Sequence, residues 1–394
     1  MSILWLPSEL LMLIAHQLDS RDLNALIQAH SSLHHALNDY LYYCNVQYND
    51  SSALLWAATH GSQNTLRRLL DAGANVRWNS DYWTRSRPWG RQAPYLRRPA
   101  SGLREHPISH AASSGHVEVV QLLIQEGADV NFKDCHGRSP LALAALNGHL
   151  ALVKTFVSLN ACQLLCNRRG QRPIADAASQ GYNEIADYLL RELSRLRFFY
   201  PKLTIQSEIQ WMLWYAAQRG DQSRIKDLVT MGADVNFQFK FNSSTPLYIA
   251  LAVAPSPVGV VKLLLELGAD PNIHKAPSTR RRLGGTWKST LSLHRAIERD
   301  ESYLLIKLLL EYGADADAAS WALFTAVNHE KPAEFRLLVE HGADIYVHGL
   351  KKSLFKRALE SPCEEIRNVI LEQGITSDTP DPVDHKSRRE DNDS

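Results

Sequence analysis

A short glycine signature returns along this chain at a pace that leaves room for little but a stack of paired helices. It reads GANV at Gly73, GADVN at Gly127 and Gly232, GADPN at Gly268, GADAD at Gly313 and GADI at Gly342. Each follows an apolar segment of the type LLIQE, LLLEL or LLLEY. An alanine stands 16 residues upstream in five units: Ala57 before Gly73, Ala111 before Gly127, Ala216 before Gly232, Ala326 before Gly342 and Ala358 before Gly374. Ala144 with Asn160 and Ala177 with Leu193 keep that spacing without the glycine, while Ala250 with Gly268 stretches to 18 and Ala296 with Gly313 to 17. About nine units result, and a regular period of this kind marks a repeat architecture.

One unit has simple physics. Small residues such as Ala144 and Ala145 let a short first helix approach its neighbours closely. Gly115 or Gly148 ends that helix in the left-handed conformation, which costs glycine little. A second helix follows with Val119, Val120, Leu122 and Leu123 at helical spacing. Gly127 stops it, and Ala128 and Asp129 open the next turn. A single unit cannot bury its apolar face, but a stack can. The periodic Asp129, Asp234, Asp270, Asp315 and Asp344 therefore read as turn residues rather than as a carboxylate site.

The unit resembles the ankyrin repeat, whose pattern is T-P-L-H-x-A-A, then G-H, then L-L, then G-A-D-x-N. The resemblance covers residues 51–376 and is best over residues 116–131 and 138–148. It implies an all-α ankyrin-repeat solenoid of about nine helix-turn-helix units. Residues 51–197 hold repeats one to four and residues 211–376 repeats five to nine, with Pro362 in place of the mid-repeat glycine in the ninth. Residues 198–210 read as an irregular junction, since the fourth unit ends in Leu193 and not in glycine. The tail, residues 377–394, has few apolar residues and is expected to be disordered.

Nothing in the chain predicts an enzyme, a metal or a cofactor. GGTWKST, residues 284–290, lacks the glycine that a phosphate-binding loop needs directly before its lysine. No HExxH or GxSxG occurs, and His110, His116 and His149 occupy repeat positions where histidine serves structure. The five cysteines have irregular spacings; Cys162 and Cys166 lie four apart without a second pair to complete a zinc site, so reduced structural thiols are expected. No apolar run approaches the length of a membrane span, and no basic segment precedes the first apolar stretch. A cytoplasmic or nuclear protein is expected.

Two insertions break the period, both between a Gly-Ala signature and the next first helix, where an ankyrin stack has its protruding fingers. Residues 77–104 carry seven arginines against one acid, Asp81, together with Trp78, Tyr82, Trp83, Trp89 and Tyr95. Arginine with large aromatics is the composition of interface hot spots, so Trp78, Tyr82, Trp83, Arg85, Arg87, Trp89 and Arg91 are the expected target-binding residues. Residues 274–288 carry five basic residues and no acid. The whole chain has net charge +1, so the chain without the two insertions stands at −10. An acidic protein is the expected partner. Nucleic acid ranks below it, because basic residues do not line the whole body. The bland alternative is that both insertions are solvated loops.

Residues 1–45 do not follow the period. Pro7, Ser8 and Glu9 suit a helix start, and Leu10, Ile14 and Leu18 recur every four residues. Ser20 is placed to cap a second helix and Ser31 or Ser32 a third. The order L-P-x-E-L-L-x-x-I-x-x-x-L-x-x-x-D-L-x-x-L, from Leu6 through Asp22 to Leu26, resembles an F-box. Followed by ankyrin repeats, it resembles the F-box–ankyrin proteins of filamentous fungi. The resemblance implies a three-helix segment docking the Skp-type adaptor of a cullin–RING ubiquitin ligase through Leu6, Pro7, Leu10, Ile14, Leu18, Leu23 and Leu26. The aromatic common in the last helix of F-boxes is replaced by Leu33, His34 and His35. The competing reading is an ankyrin scaffold whose amino-terminal helices only cap the stack.

Overall fold

The computed structural model describes residues 31–48, 52–76, 106–196, 205–239, 244–273, 291–316, 320–343 and 361–372, with residues 11, 14, 15, 17, 18, 22, 25, 26, 28 and 358. The repeats appear as helix pairs. An amino-terminal helix α1 (Ser31–Tyr48) precedes α2 (Ser52–His60) and α3 (Gln63–Asp71) of the first repeat. Then come α4 (Pro107–Ser114) with α5 (Val117–Gln125), α6 (Pro140–Leu146) with α7 (Leu150–Ser158), and α8 (Pro173–Gln180) with α9 (Asn183–Leu196). The fifth pair is α10 (Gln206–Arg219) with α11 (Gln222–Thr230). The series continues with α12 (Pro246–Val253) and α13 (Pro257–Glu266), α14 (Leu291–Ile297) and α15 (Ser302–Glu311), then α16 (Ser320–Asn328) and α17 (Pro332–Glu340), before α18 (Glu364–Glu372).

The chain forms two compact units, Met1–Met212 and Leu213–Ser394, and the division falls inside α10. In the first, the first helices α2, α4, α6 and α8 pack in one row and the second helices α3, α5, α7 and α9 in another. In the second unit, α12, α14 and α16 form one row and α11, α13, α15, α17 and α18 the other. Alanine allows the close first-helix row: Ala111, Ala112, Ala144, Ala145, Ala175 and Ala177 are essentially inaccessible. Second helices supply bulk, such as Phe156 and Phe335, both fully buried.

Local chemistry sets the helix ends. Proline opens several first helices, where its missing N–H is no loss. Ser139 Oγ accepts from Ala142 N at 3.2 Å and Thr245 Oγ1 from Tyr248 N at 3.1 Å. Gly115 closes α4 at φ 83°. The fourth unit lacks the second stop, and α9 accordingly runs for 14 residues, through the buried Leu193. The residues expected to be an irregular junction are helical from Gln206 onward, since Ile209 is buried and Glu208 is held by Arg172.

The signature residues join one unit to the next. Asp129, Asp234 and Asp270 each accept from the backbone N–H two residues on, at 2.8–2.9 Å, which is the expected turn chemistry. The asparagines reach further. Asn236 accepts from Asp270 N at 2.8 Å and donates to Gly268 O at 3.0 Å. Asn272 does the same to Asp315 N and Gly313 O, both at 2.8 Å. Asn131 accepts from Cys162 N at 2.8 Å.

The mid-repeat pair has a second use. His116 Nε2 donates to Thr59 O and His149 Nε2 to Ser113 O, each at 2.9 Å and each in the preceding repeat. The rings cover the preceding glycine: a Cβ on Gly61 would lie 2.6 Å from His116, and one on Gly115 would lie 2.6 Å from His149. In the eighth unit Glu330 takes the glycine's place at φ 51°, and Lys331 takes the histidine's. Lys331 Nζ donates to Ile297 O at 2.8 Å and Arg299 O at 2.9 Å. Two glycine substitutions should therefore differ. Gly232, at φ 93° with open space about it, pays only for backbone strain, so Gly232→Ala should destabilise by about 1 kcal/mol. Gly115→Ala adds the displacement of His149 and its hydrogen bond, for about 2 kcal/mol. Urea titration of both variants measures the difference, and equal losses would remove the inter-repeat role of the ring.

Candidate protein-interaction surface

The amino-terminal segment has its own small core of Leu11, Ala15, Leu33, Leu37 and Tyr40. Leu18 and Leu26 pack against that core partly buried, and Ile14 is half-buried. Leu6, Pro7, Leu10 and Leu23 lie outside the described residues. Helix α1 packs on α2 and α3 of the first repeat. Arg68 of α3 reaches back to it, with Asp39 at 3.8 Å and its guanidinium 5.9 Å from the Tyr42 ring centroid.

The expected target-binding residues Trp78, Tyr82, Trp83, Arg85, Arg87, Trp89 and Arg91 also lie outside the described residues, as does the insertion of residues 274–288. The flanks of the first insertion are described. The chain leaves after Val76, behind α3, and returns at His106, directly before α4. The corresponding stretches of the next repeats are the second finger, residues 128–138, and the third, residues 161–171.

These two fingers share one turn design. Asp134 Oδ1 accepts from His136 N at 2.8 Å and Arg138 N at 2.7 Å, and Gly137 adopts φ 76°. One repeat later, Asn167 Oδ1 accepts from Arg169 N at 2.9 Å and Gln171 N at 3.1 Å, and Gly170 adopts φ 74°. The third finger docks on the second through Arg168 N to His136 O at 3.0 Å and Lys133 Nζ to Cys166 O at 3.2 Å. Lys133, His136, Arg168 and Arg169 are exposed.

Beneath the fingers lies a buried polar seam that the sequence did not reveal. Arg138 Nε stands 3.8 Å from Asp176 Oδ1 of α8, and Asn167 Nδ2 donates to the same oxygen at 3.3 Å. Burial pushes the Asp176 carboxyl up to about 7, against the pull of Arg138. One repeat on, Arg172 donates to Glu208 Oε1 at 2.8 Å, and Ser207 Oγ donates to it at 3.0 Å. Burial raises Glu208 also, against Arg172. Asp176 Oδ2 and Glu208 Oε2 find no hydrogen-bond partner among the described residues. His106 takes the N-cap position of α4 without a side-chain cap bond and stacks on Phe132 with ring centroids 4.3 Å apart. Burial lowers it to about 4, against the attraction of Asp129.

Two aromatic features also escaped the sequence reading. Trp56 of α2 is 52% exposed, stacked on His60 with centroids 4.4 Å apart. In the second compact unit, Trp214 donates to Ser244 Oγ at 2.9 Å and meets Phe239 edge-on. Cys135, Cys162, Cys166 and Cys363 are half-buried free thiols. Among the described residues no group of three or more His, Cys, Asp or Glu is placed to hold a metal ion, and no helix is long and apolar enough to cross a membrane.

A family model for ankyrin repeats in three copies matches residues 107–196, and one for a single ankyrin repeat matches residues 242–276. Among solved structures, the crystal structure of the human ASB11 ankyrin repeat domain is similar, at 21% identity over 67% of this chain and 99% of that one, with a TM-score of 0.43. No curated protein matches the chain. By its helix pairs and by the two family models, the fold is an all-α ankyrin-repeat solenoid, and repeats of this kind act as protein–protein interaction modules.

Proposed function

We propose that this protein is a non-enzymatic substrate receptor. Its amino-terminal helices dock the Skp-type adaptor of a cullin–RING ubiquitin ligase, and its ankyrin stack holds a target protein. The observation that carries the reading is the small core formed by Leu11, Ala15, Leu33, Leu37 and Tyr40 and the fastening of α1 to the first repeat through Arg68. A segment with a core of its own, fixed to a binding stack, suits a receptor that raises the local concentration of one bound protein beside another. The F-box-like order of residues 6–26 supplies the identity of the docking partner, and the composition of residues 77–104 points to the target-binding loop.

The packing of α1 on α2 and α3 equally favours a scaffold in which these helices only close the end of the array. Co-precipitation with a Skp-type adaptor separates the two. Leu18 and Leu26 are unsuitable for the test because they pack against the segment's own core. Leu10→Asp/Ile14→Asp should abolish adaptor binding while the helical circular dichroism of the stack persists. A wild-type chain that captures no adaptor would leave the scaffold reading in place.

A further inference from the structure

The two described fingers have a charge asymmetry that the stack itself does not require. Residues 161–172 contain three arginines and no acid. Arg172 is turned inward to Glu208, which leaves Arg168 and Arg169 outside. The second finger contributes Lys133 and His136 beside them. Its two acids are turned to their own backbone, Asp129 to Asn131 N and Asp134 to His136 N and Arg138 N.

We propose that the second and third fingers form a preordered basic shelf, with Lys133, His136, Arg168 and Arg169 as its surface, that binds an acidic peptide segment of a protein partner. The paired Asx turns fix the backbone that bears these groups before any partner arrives. Gly137 permits the close approach of the fingers, since a Cβ there would lie 3.1 Å from Arg168 N. Ordering cost is thus lowered at binding. The shelf follows the basic residues 77–104 in repeat order; that insertion and the third finger carry an excess of positive charge, the second finger is balanced, and the chain outside the two insertions has net charge −10. Arginine suits carboxylates through paired, parallel hydrogen bonds. A single-stranded nucleic acid fits the shelf less well, because base-stacking aromatics are what such strands require. The shelf's own aromatic, Phe132, is half-buried and stacked on His106.

The inference rests on the reading of the stack as the target-binding part. Its test uses the full-length chain and a fluorescein-labelled peptide of alternating Glu and Ser, followed by anisotropy at low and moderate salt. A second peptide with phosphoserine in place of serine separates carboxylate from phosphate as the preferred anion. Arg168→Glu/Arg169→Glu should weaken binding at least about tenfold, the affinity change for ~1.4 kcal/mol. Arg169 also acts on the buried Asp176, so the neutral Arg168→Gln/Arg169→Gln is included and should give a smaller loss with unchanged thermal stability. Arg191→Glu on α9, an exposed arginine away from the fingers, should leave binding intact. Failure of both peptides to bind, or binding indifferent to the double reversal, overturns the shelf. So does tighter binding of an oligonucleotide of equal charge through the same arginines. Adaptor co-precipitation by the double variant should be unchanged, so failure of the shelf and failure of adaptor docking give different results.

Discussion

Arg172→Met should destabilise the first compact unit by about 3–5 kcal/mol, the usual cost of removing one member of a buried charge pair. Glu208 would remain with a nearly inaccessible side chain, 3% exposed, and without its cationic partner. Burial already raises its proton affinity, so the orphaned carboxyl would take up a proton more readily than the paired one. The loss should therefore be larger at pH 8 than at pH 5. Arg172→Met/Glu208→Leu should recover most of it, because two apolar side chains of similar volume need no partner. Denaturant titration of the single and double variants at both pH values tests this. A double variant as unstable as the single would mean that Arg172 acts through packing and not through the pair.

The second large effect is an acid sensitivity hidden in His106. Its native value of about 4 lies below its ordinary 6.5. The unfolded chain therefore binds a proton between pH 6.5 and pH 4 while the native state does not. Stability from this group is fully present above pH 6.5 and is lost as pH falls toward 4, by about 3 kcal/mol in all. Asp176 opposes it. Its native value of about 7 exceeds its ordinary 3.8, so the native state binds the extra proton and gains stability as pH falls through the same window. The wild-type profile is the sum of opposing slopes, and a difference profile isolates one of them. Wild type should lose about 3 kcal/mol relative to His106→Leu between pH 7 and pH 4. Parallel profiles for the two proteins would show that His106 is accessible to protons in the folded state.

Much of the fold was legible because its signals are local. Proline at a helix start, glycine at a helix end and apolar residues at helical spacing act within one repeat, and they recur. The Asx role of Asp129, Asp234 and Asp270 could be read for the same reason. The buried seam was not legible. Arg138 with Asp176 and Arg172 with Glu208 are 38 and 36 residues apart, and such pairs become visible only once the register of adjacent repeats is known. The third finger was missed differently. Two adjacent arginines are unremarkable in sequence, and they matter only because Arg168 sits on His136 in the preceding finger. Lys331 shows how a function can survive a change of residue type. It reaches the preceding repeat with a longer, charged side chain where His116 and His149 use a ring.

The contact between a mid-repeat glycine and the ring of the following repeat bears on how such an array can lengthen or shorten. Gly61 is matched to His116, Gly115 to His149 and Gly148 to Tyr182, whose ring would lie 2.5 Å from an added Cβ. Each half of a match sits in a different repeat, so a repeat cut at its first-helix boundary carries two unmatched halves. A duplication that copies one intact period restores both matches at its junctions, whereas a junction that sets a ring over a residue other than glycine leaves no room for that residue's Cβ. The heritable piece of this stack is thus the seam between repeats as much as the repeat itself.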